Sequence, residues 1–195
     1  VQVVIIFDWN EMMSGHHLVM GEVVDYLTGK ILPETHDERY RQKLARFIVE
    51  KKGYLKEEIY SRYRLLLSID NKRATIPVDF QVVLSGRTCM MIKYAPGSLV
   101  TRRRCVLAVS RILSAYQIPV AVVTNGEDAE VLDASAGSII GEGLDSIPSK
   151  ENLKKLVREK PIEFISRDRY EMESRIAYAM EVDGSCPCDD TICRL

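Results

Sequence analysis

The stretch from Ile76 to Thr124 does most to limit what this chain can fold into. Ile76 to Leu84 is rich in β-branched and apolar residues, Ser85-Gly86 turns the chain, and Thr88 to Tyr94 is strand-like again. Pro96-Gly97-Ser98 ends that strand. Leu99, Val106, Val109, Leu113 and Tyr116 then form an apolar stripe, which predicts a helix over 99–116. Ile118 to Thr124 is a continuous apolar run bounded by Asn125-Gly126 and reads as a buried strand. Upstream, the apolar and basic run Tyr60 to Ile69 ends in the turn pair Asp70-Asn71 and supplies one more strand. Before it, Thr35 followed by Glu38 is a capping-box pattern, and Tyr40, Leu44, Phe47 and Ile48 recur at helical spacing. With Gly53 as the stop, this predicts a helix over 36–52. The resulting order is helix, three-stranded antiparallel meander, helix, strand: an α/β core.

Around this core the signals are weaker. Val3 to Phe7 reads as a short strand or a leader, and His16 to Leu27 as a short helix. Ala129 to Asp133 and Ser138 to Ile140 flank a hairpin turn, and helices are expected over 149–159 and 166–180. The expected organisation is a leader over 1–30, a core over 31–145 and a helical extension over 146–195 with a cysteine-rich tail. A length of 195 residues suits one well-buried domain with an appendage. No apolar run reaches the length of a membrane span and no export signal is read, so the expectation is no membrane partner and a cytoplasmic location. The net charge of −1 argues against a generally basic polyanion binder, so nucleic-acid contact requires a local patch. Arg102-Arg103-Arg104, at the start of the second helix, is the candidate, with Arg62, Arg64, Lys72 and Arg73 as additions; the alternative is a solvated charge run.

The chemistry-bearing positions lie on the meander. Metal-assisted phosphodiester hydrolysis needs carboxylates to hold a hard cation and a lysine beside the attacking water. Asp79 precedes Lys93 by 14 residues across one turn, and Glu38 lies on the preceding helix. Taken singly, Asp79 also reads as a strand-end residue, Lys93 as a solvated lysine and Glu38 as a capping-box residue. Together with Asp25 to Lys30, Thr35 to Gln42, Gly53-Tyr54, Pro77-Val78-Asp79 and Ile118 to Gly126, their order resembles the N-terminal nuclease domain of type I restriction enzyme R subunits, of the PD-(D/E)xK superfamily. The resemblance runs from about 24 to 126. It implies a restriction-endonuclease-like core and a Mg²⁺- or Mn²⁺-dependent DNA nuclease. Asp79 and Glu38 would be the metal carboxylates, with Asp79, Lys93 and Glu38 catalytic. DNA and restriction-system subunits are the implied partners; assembly with further copies of the chain is left open. The departure is Met91, where the pattern has Glu or Asp, since a thioether is a poor ligand for Mg²⁺. The Gln usual on the following helix is also missing from Thr101-Arg102-Arg103-Arg104. A non-catalytic nucleic-acid-binding or metal-binding protein on the same fold is therefore the competing expectation.

Cys186-Pro187-Cys188 and Cys193 form a second candidate site in a polar segment. Three thiolates so spaced suit Zn²⁺ or an iron–sulfur cluster, with Cys105, Cys89, His16 or His17 as the fourth ligand. The alternative is a reduced tail of unliganded thiols.

Overall fold

The computed structural model describes residues 18–160 and 162–183. A two-stranded hairpin, β1 (Gly21–Val24) and β2 (Ile31–Glu34), leads into α1 (His36–Glu50). A six-stranded sheet follows, in the spatial order β3 (Ile59–Ile69), β4 (Lys72–Leu84), β5 (Arg87–Tyr94), β6 (Val120–Thr124), β7 (Ala129–Asp133), β8 (Ile139–Glu142). Its neighbours are antiparallel except β5 and β6, which run parallel because α2 (Leu99–Ile112) carries the chain back between them. Two further helices, α3 (Lys150–Glu159) and α4 (Arg167–Tyr178), come after the sheet.

Each face of the sheet buries its own apolar cluster. Leu44, Ala45 and Ile48 of α1 and Leu153 of α3 join Met90, Ile92, Val120 and Val122 on one face. Val106, Val109 and Ile112 of α2 and Ala177 of α4 join Met91, Ala121 and Val123 on the other. Helices on both faces explain why Ile118 to Thr124 is apolar at nearly every position: β6 has no wet side. The loop after β6 receives α1 closely. A Cβ on Gly126, at φ +92°, would come within 2.4 Å of the Tyr40 ring.

Several local expectations need correction. The described part of the segment expected as a helix over 16–27 instead contains β1, paired antiparallel with β2 from Gly21↔Glu34 to Val24↔Ile31. The Asp25 carboxylate accepts from the backbone N–H groups of Leu27 and Thr28, which stabilises a turn rather than a further helical turn. The helix expected to run to 116 ends at Ile112, because Tyr116 turns away to bridge Phe164 and its hydroxyl accepts from Thr88 N–H. The last helix finishes in a π-helical turn, Ala179–Asp183, that buries Glu181 and Val182. Val3 to Phe7 lies outside the described residues.

One irregularity in the sheet positions everything that follows. The β3–β4 ladder pairs Ser61 with Phe80 and Tyr63 with Val78, but skips Arg62 and Asp79 between them. Arg62 has φ +54°, a left-handed conformation unusual for a non-glycine residue. Both strands change cluster across this break: Leu65, Ile76 and Val78 belong with α2 and α4, whereas Ile59, Phe80 and Val82 belong with α1. The β4–β5 ladder also ends there, with Phe80↔Ile92 as its last pair, while Lys93 and Tyr94 continue to pair with β6. The sheet therefore forks at Asp79.

Candidate functional site

Side chains replace the ladder hydrogen bonds missing at the fork. Asp79 Oδ2 accepts from the backbone N–H of Tyr94 at 2.7 Å, and Lys93 Nζ donates to the carbonyl of Pro77 at 2.9 Å. Asp79 and Lys93 thus meet the same irregularity from opposite strands. Their remaining partners lie in opposite layers.

On the α1 side, Asp79 Oδ1 accepts from Arg41 Nε at 2.6 Å, and Arg41 Nη1 lies 3.9 Å from Glu38 Oε2. Glu38 Oε1 accepts from Gln42 at 2.7 Å and pairs with Arg62. Arg62 also binds Asp25 Oδ2 at 2.7 Å, to which Gln42 donates at 3.1 Å. The result is a chain of alternating charge, Asp25–Arg62–Glu38–Arg41–Asp79, whose ends lie 54 positions apart in sequence. The left-handed Arg62 is what brings a guanidinium to this network from an edge strand. Burial pulls the Arg41 guanidinium towards neutrality, but Asp79, Glu38 and Asp37 more than offset it and keep its pKa raised. Burial likewise opposes ionisation of Asp25, yet the Thr28 N–H, Arg62 and Gln42 hold its carboxyl below the ordinary range. Tyr94, donating to Asp37 Oδ1, is pushed up to about 12 by burial first and by that carboxylate second.

On the α4 side, Lys93 Nζ lies 2.9 Å from Glu181 Oε2, and Glu181 Oε1 accepts from the Cys105 thiol at 2.8 Å. Burial, then the Glu181 carboxylate, drives the Cys105 thiol pKa upward, so it remains a donor. Met91 belongs to the apolar cluster of this layer with no exposed surface. It lies between Gln81 on β4 and Ala121 on β6, so neighbours in both ladders enclose it.

The structure thus gathers Asp79 and Glu38 around Arg41, and puts Lys93 at the same fork facing the other layer. Thr35 caps α1 by accepting from Glu38 N–H, but the Glu38 carboxylate turns inward to Arg62 and Gln42, so only half of the expected capping box forms. A hard divalent ion needs several oxygen ligands converging on one point. Here both Asp79 oxygens already accept hydrogen bonds, a guanidinium stands between Asp79 and Glu38, and position 91 offers a buried thioether. This donor set, as arranged, does not fit such an ion. Among the described residues no three His, Cys, Asp or Glu side chains form a group that could hold a metal.

The Arg102–Arg104 run is largely spoken for. Arg102 is exposed, but Arg103 makes a two-pronged contact with Glu130 at 2.7 Å on each prong. Arg104 Nη1 stands 2.7 Å from the fully buried Glu173, without hydrogen-bond alignment; Arg111 and Arg169 complete that carboxylate's shell at 2.7 and 2.8 Å. Cys186, Cys188, Cys193, His16 and His17 lie outside the described residues. Cys89 and Cys105 are buried free thiols in opposite clusters.

Sequence reasoning gave no role to Arg41, Asp25, Gln42 or Glu181, and considered Cys105 only as a fourth ligand for the C-terminal cysteines. Asp25, Arg41 and Gln42 do fall in the motif pieces that carried the resemblance. Glu181 has no local signal: it reaches Lys93 from 88 positions away.

A forked α/β sheet with helices on both faces, carrying Asp and Lys on adjacent strands at the fork, defines a class of mixed α/β protein. Within it, this chain belongs to the family of type I restriction enzyme R protein N termini, whose model matches residues 36–148. Comparison with curated proteins and with solved structures finds no match. Among the described residues no helix is long and apolar enough to cross a membrane.

Proposed function

We propose that this chain is a restriction-endonuclease-like domain that binds duplex DNA without cutting it. On this reading it serves alongside other restriction-system subunits that supply the remaining activities. The family supports the DNA and restriction context. The observation that carries the silent centre is the internal neutralisation of the fork: Arg41 stands between Asp79 and Glu38, while Lys93 is held by Glu181 in the opposite layer. Each group that a phosphodiesterase would need open to solvent, metal or substrate is already partnered.

The test is a nicking assay on supercoiled and linear duplex DNA with Mg²⁺ or Mn²⁺, run beside a binding titration. The expected result is salt-dependent binding with no cleavage. Cleavage that disappears in both Asp79→Ala and Lys93→Ala would instead establish a working nuclease. Absence of binding would remove the DNA reading.

A further inference from the structure

The α1 helix has two charged sides with different fates. Its inward Glu38, Arg41 and Gln42 are consumed by the fork. At about 100° per residue, His36, Arg39, Lys43, Arg46 and Glu50 fall within an arc of about 80° on the other side. All five are exposed. Glu34 compensates Arg39 at 2.7 Å, and Glu50 accepts from the Tyr26 hydroxyl. Among the described residues, neither Lys43 nor Arg46 has a carboxylate within ion-pair range. The same holds for the exposed Lys56, just beyond the helix.

These three cations are not loose. Arg46 and Lys56 lie over the single Tyr26 ring, 4.7 and 3.9 Å from its centroid, and Lys43 lies 5.3 Å from the centre of Tyr40. Tyr40 is itself stacked on Tyr94 and packed against Gly126. Cations resting on fixed aromatic rings lose less side-chain freedom when a phosphate arrives. The contrast with Arg103 and Arg104, both held by carboxylates, is direct.

We propose that Lys43, Arg46 and Lys56 form the rail that carries the phosphate backbone of duplex DNA. This rests on the DNA-binding reading above and gives it a location. Lys43 and Arg46 stand about 4.5 Å apart along the helix axis, on the order of one phosphate spacing of a single strand, and Lys56 extends the row beyond the helix. The duplex would lie on the side of α1 turned away from Asp79, consistent with binding that leaves the strand uncut.

The experiment is fluorescence anisotropy with a labelled duplex of about 30 bp over a salt titration, using the full chain. The triple variant Lys43→Ala/Arg46→Ala/Lys56→Ala is expected to bind about tenfold more weakly or worse, and to lower the log K against log salt slope by about 3. The charge-keeping variant Lys43→Arg/Lys56→Arg is expected to retain the wild-type slope, separating charge from fold. Wild-type affinity and slope in the triple variant would overturn the rail while leaving DNA binding intact. Failure of the wild-type chain to bind would overturn both. Competition by polyglutamate as effective as by DNA would reassign the rail to an acidic protein partner and overturn the duplex assignment.

Discussion

Removing the carboxylate opposite Lys93 tests the fork most directly. Lys93 Nζ and Glu181 Oε2 are 2.9 Å apart, and their side chains are only 7% and 9% exposed. At an effective dielectric of about 20 that separation corresponds to ~6 kcal/mol of gross attraction, much of it offset by the cost of desolvating both groups. The net value of the pair is therefore small, whereas breaking it is expensive. Glu181→Gln leaves a buried ammonium facing only the Pro77 carbonyl and a neutral amide, and is expected to cost about 3 kcal/mol. Lys93→Met strands the carboxylate on the Cys105 thiol at a similar cost. The double variant Lys93→Met/Glu181→Gln removes both charges and is expected to recover at least about 2 kcal/mol relative to the sum of the singles. Urea unfolding followed by far-ultraviolet circular dichroism measures each value as a midpoint shift at constant slope. Thermal midpoints should fall by roughly 6–12 °C in the singles, at about 2–4 °C per kcal/mol for this size. Single variants that lose under about 1 kcal/mol, with additive effects in the double, would refute a buried pair and with it the capture of Lys93 by α4.

Three further outcomes follow from the same contacts. Met91→Glu buries an unpartnered carboxyl in an apolar cluster, so it should cost about 3 kcal/mol or more at neutral pH and confer no cleavage; the penalty should shrink towards pH 5 as the carboxyl neutralises, read by melting at both pH values and a nicking assay. Glu173→Ala leaves Arg104, Arg111 and Arg169 without their shared carboxylate, and a loss of about 3–5 kcal/mol is expected by denaturant unfolding. Burial opposes ionisation of Asp133, but hydrogen bonds from Lys160, Ser135 and the Ala136 N–H hold it at about 2. Because the folded value lies below the usual 3.8, this stabilisation is present above about pH 4 and fades as the pH falls towards 2; Asp133→Asn should flatten that limb of a stability–pH curve.

The sheet was legible where turn chemistry and strand pattern agree. Asp70-Asn71 and Ser85-Gly86 set the β3–β4–β5 connections, the Pro96-Gly97-Ser98 break separated β5 from α2, and the unbroken apolar run of β6 announced a strand covered on both faces. The short N-terminal segment was misread because Val23 and Val24 suit either element until Ile31 and Leu32 supply the opposite strand. For the Arg102–Arg104 run the sequence shows charges but not the counterions that Arg103 and Arg104 meet in the fold. Glu130 and Glu173 become partners only after β7 and α4 pack against α2.

The sequence by itself determined that Asp79 and Lys93 would stand on neighbouring strands, and that position 91 could not supply a hard ligand. Local alternation and turn residues suffice for that, since they act over a few positions. Only the tertiary structure decided what those charges do. The fork turns Asp79 towards α1 and Lys93 towards α4, and their neutralising partners come from Arg41 and Glu181, on segments far apart in the chain. Burying an ion requires a counterion within about 4 Å, a condition set by packing of distant elements and invisible to spacing along the chain.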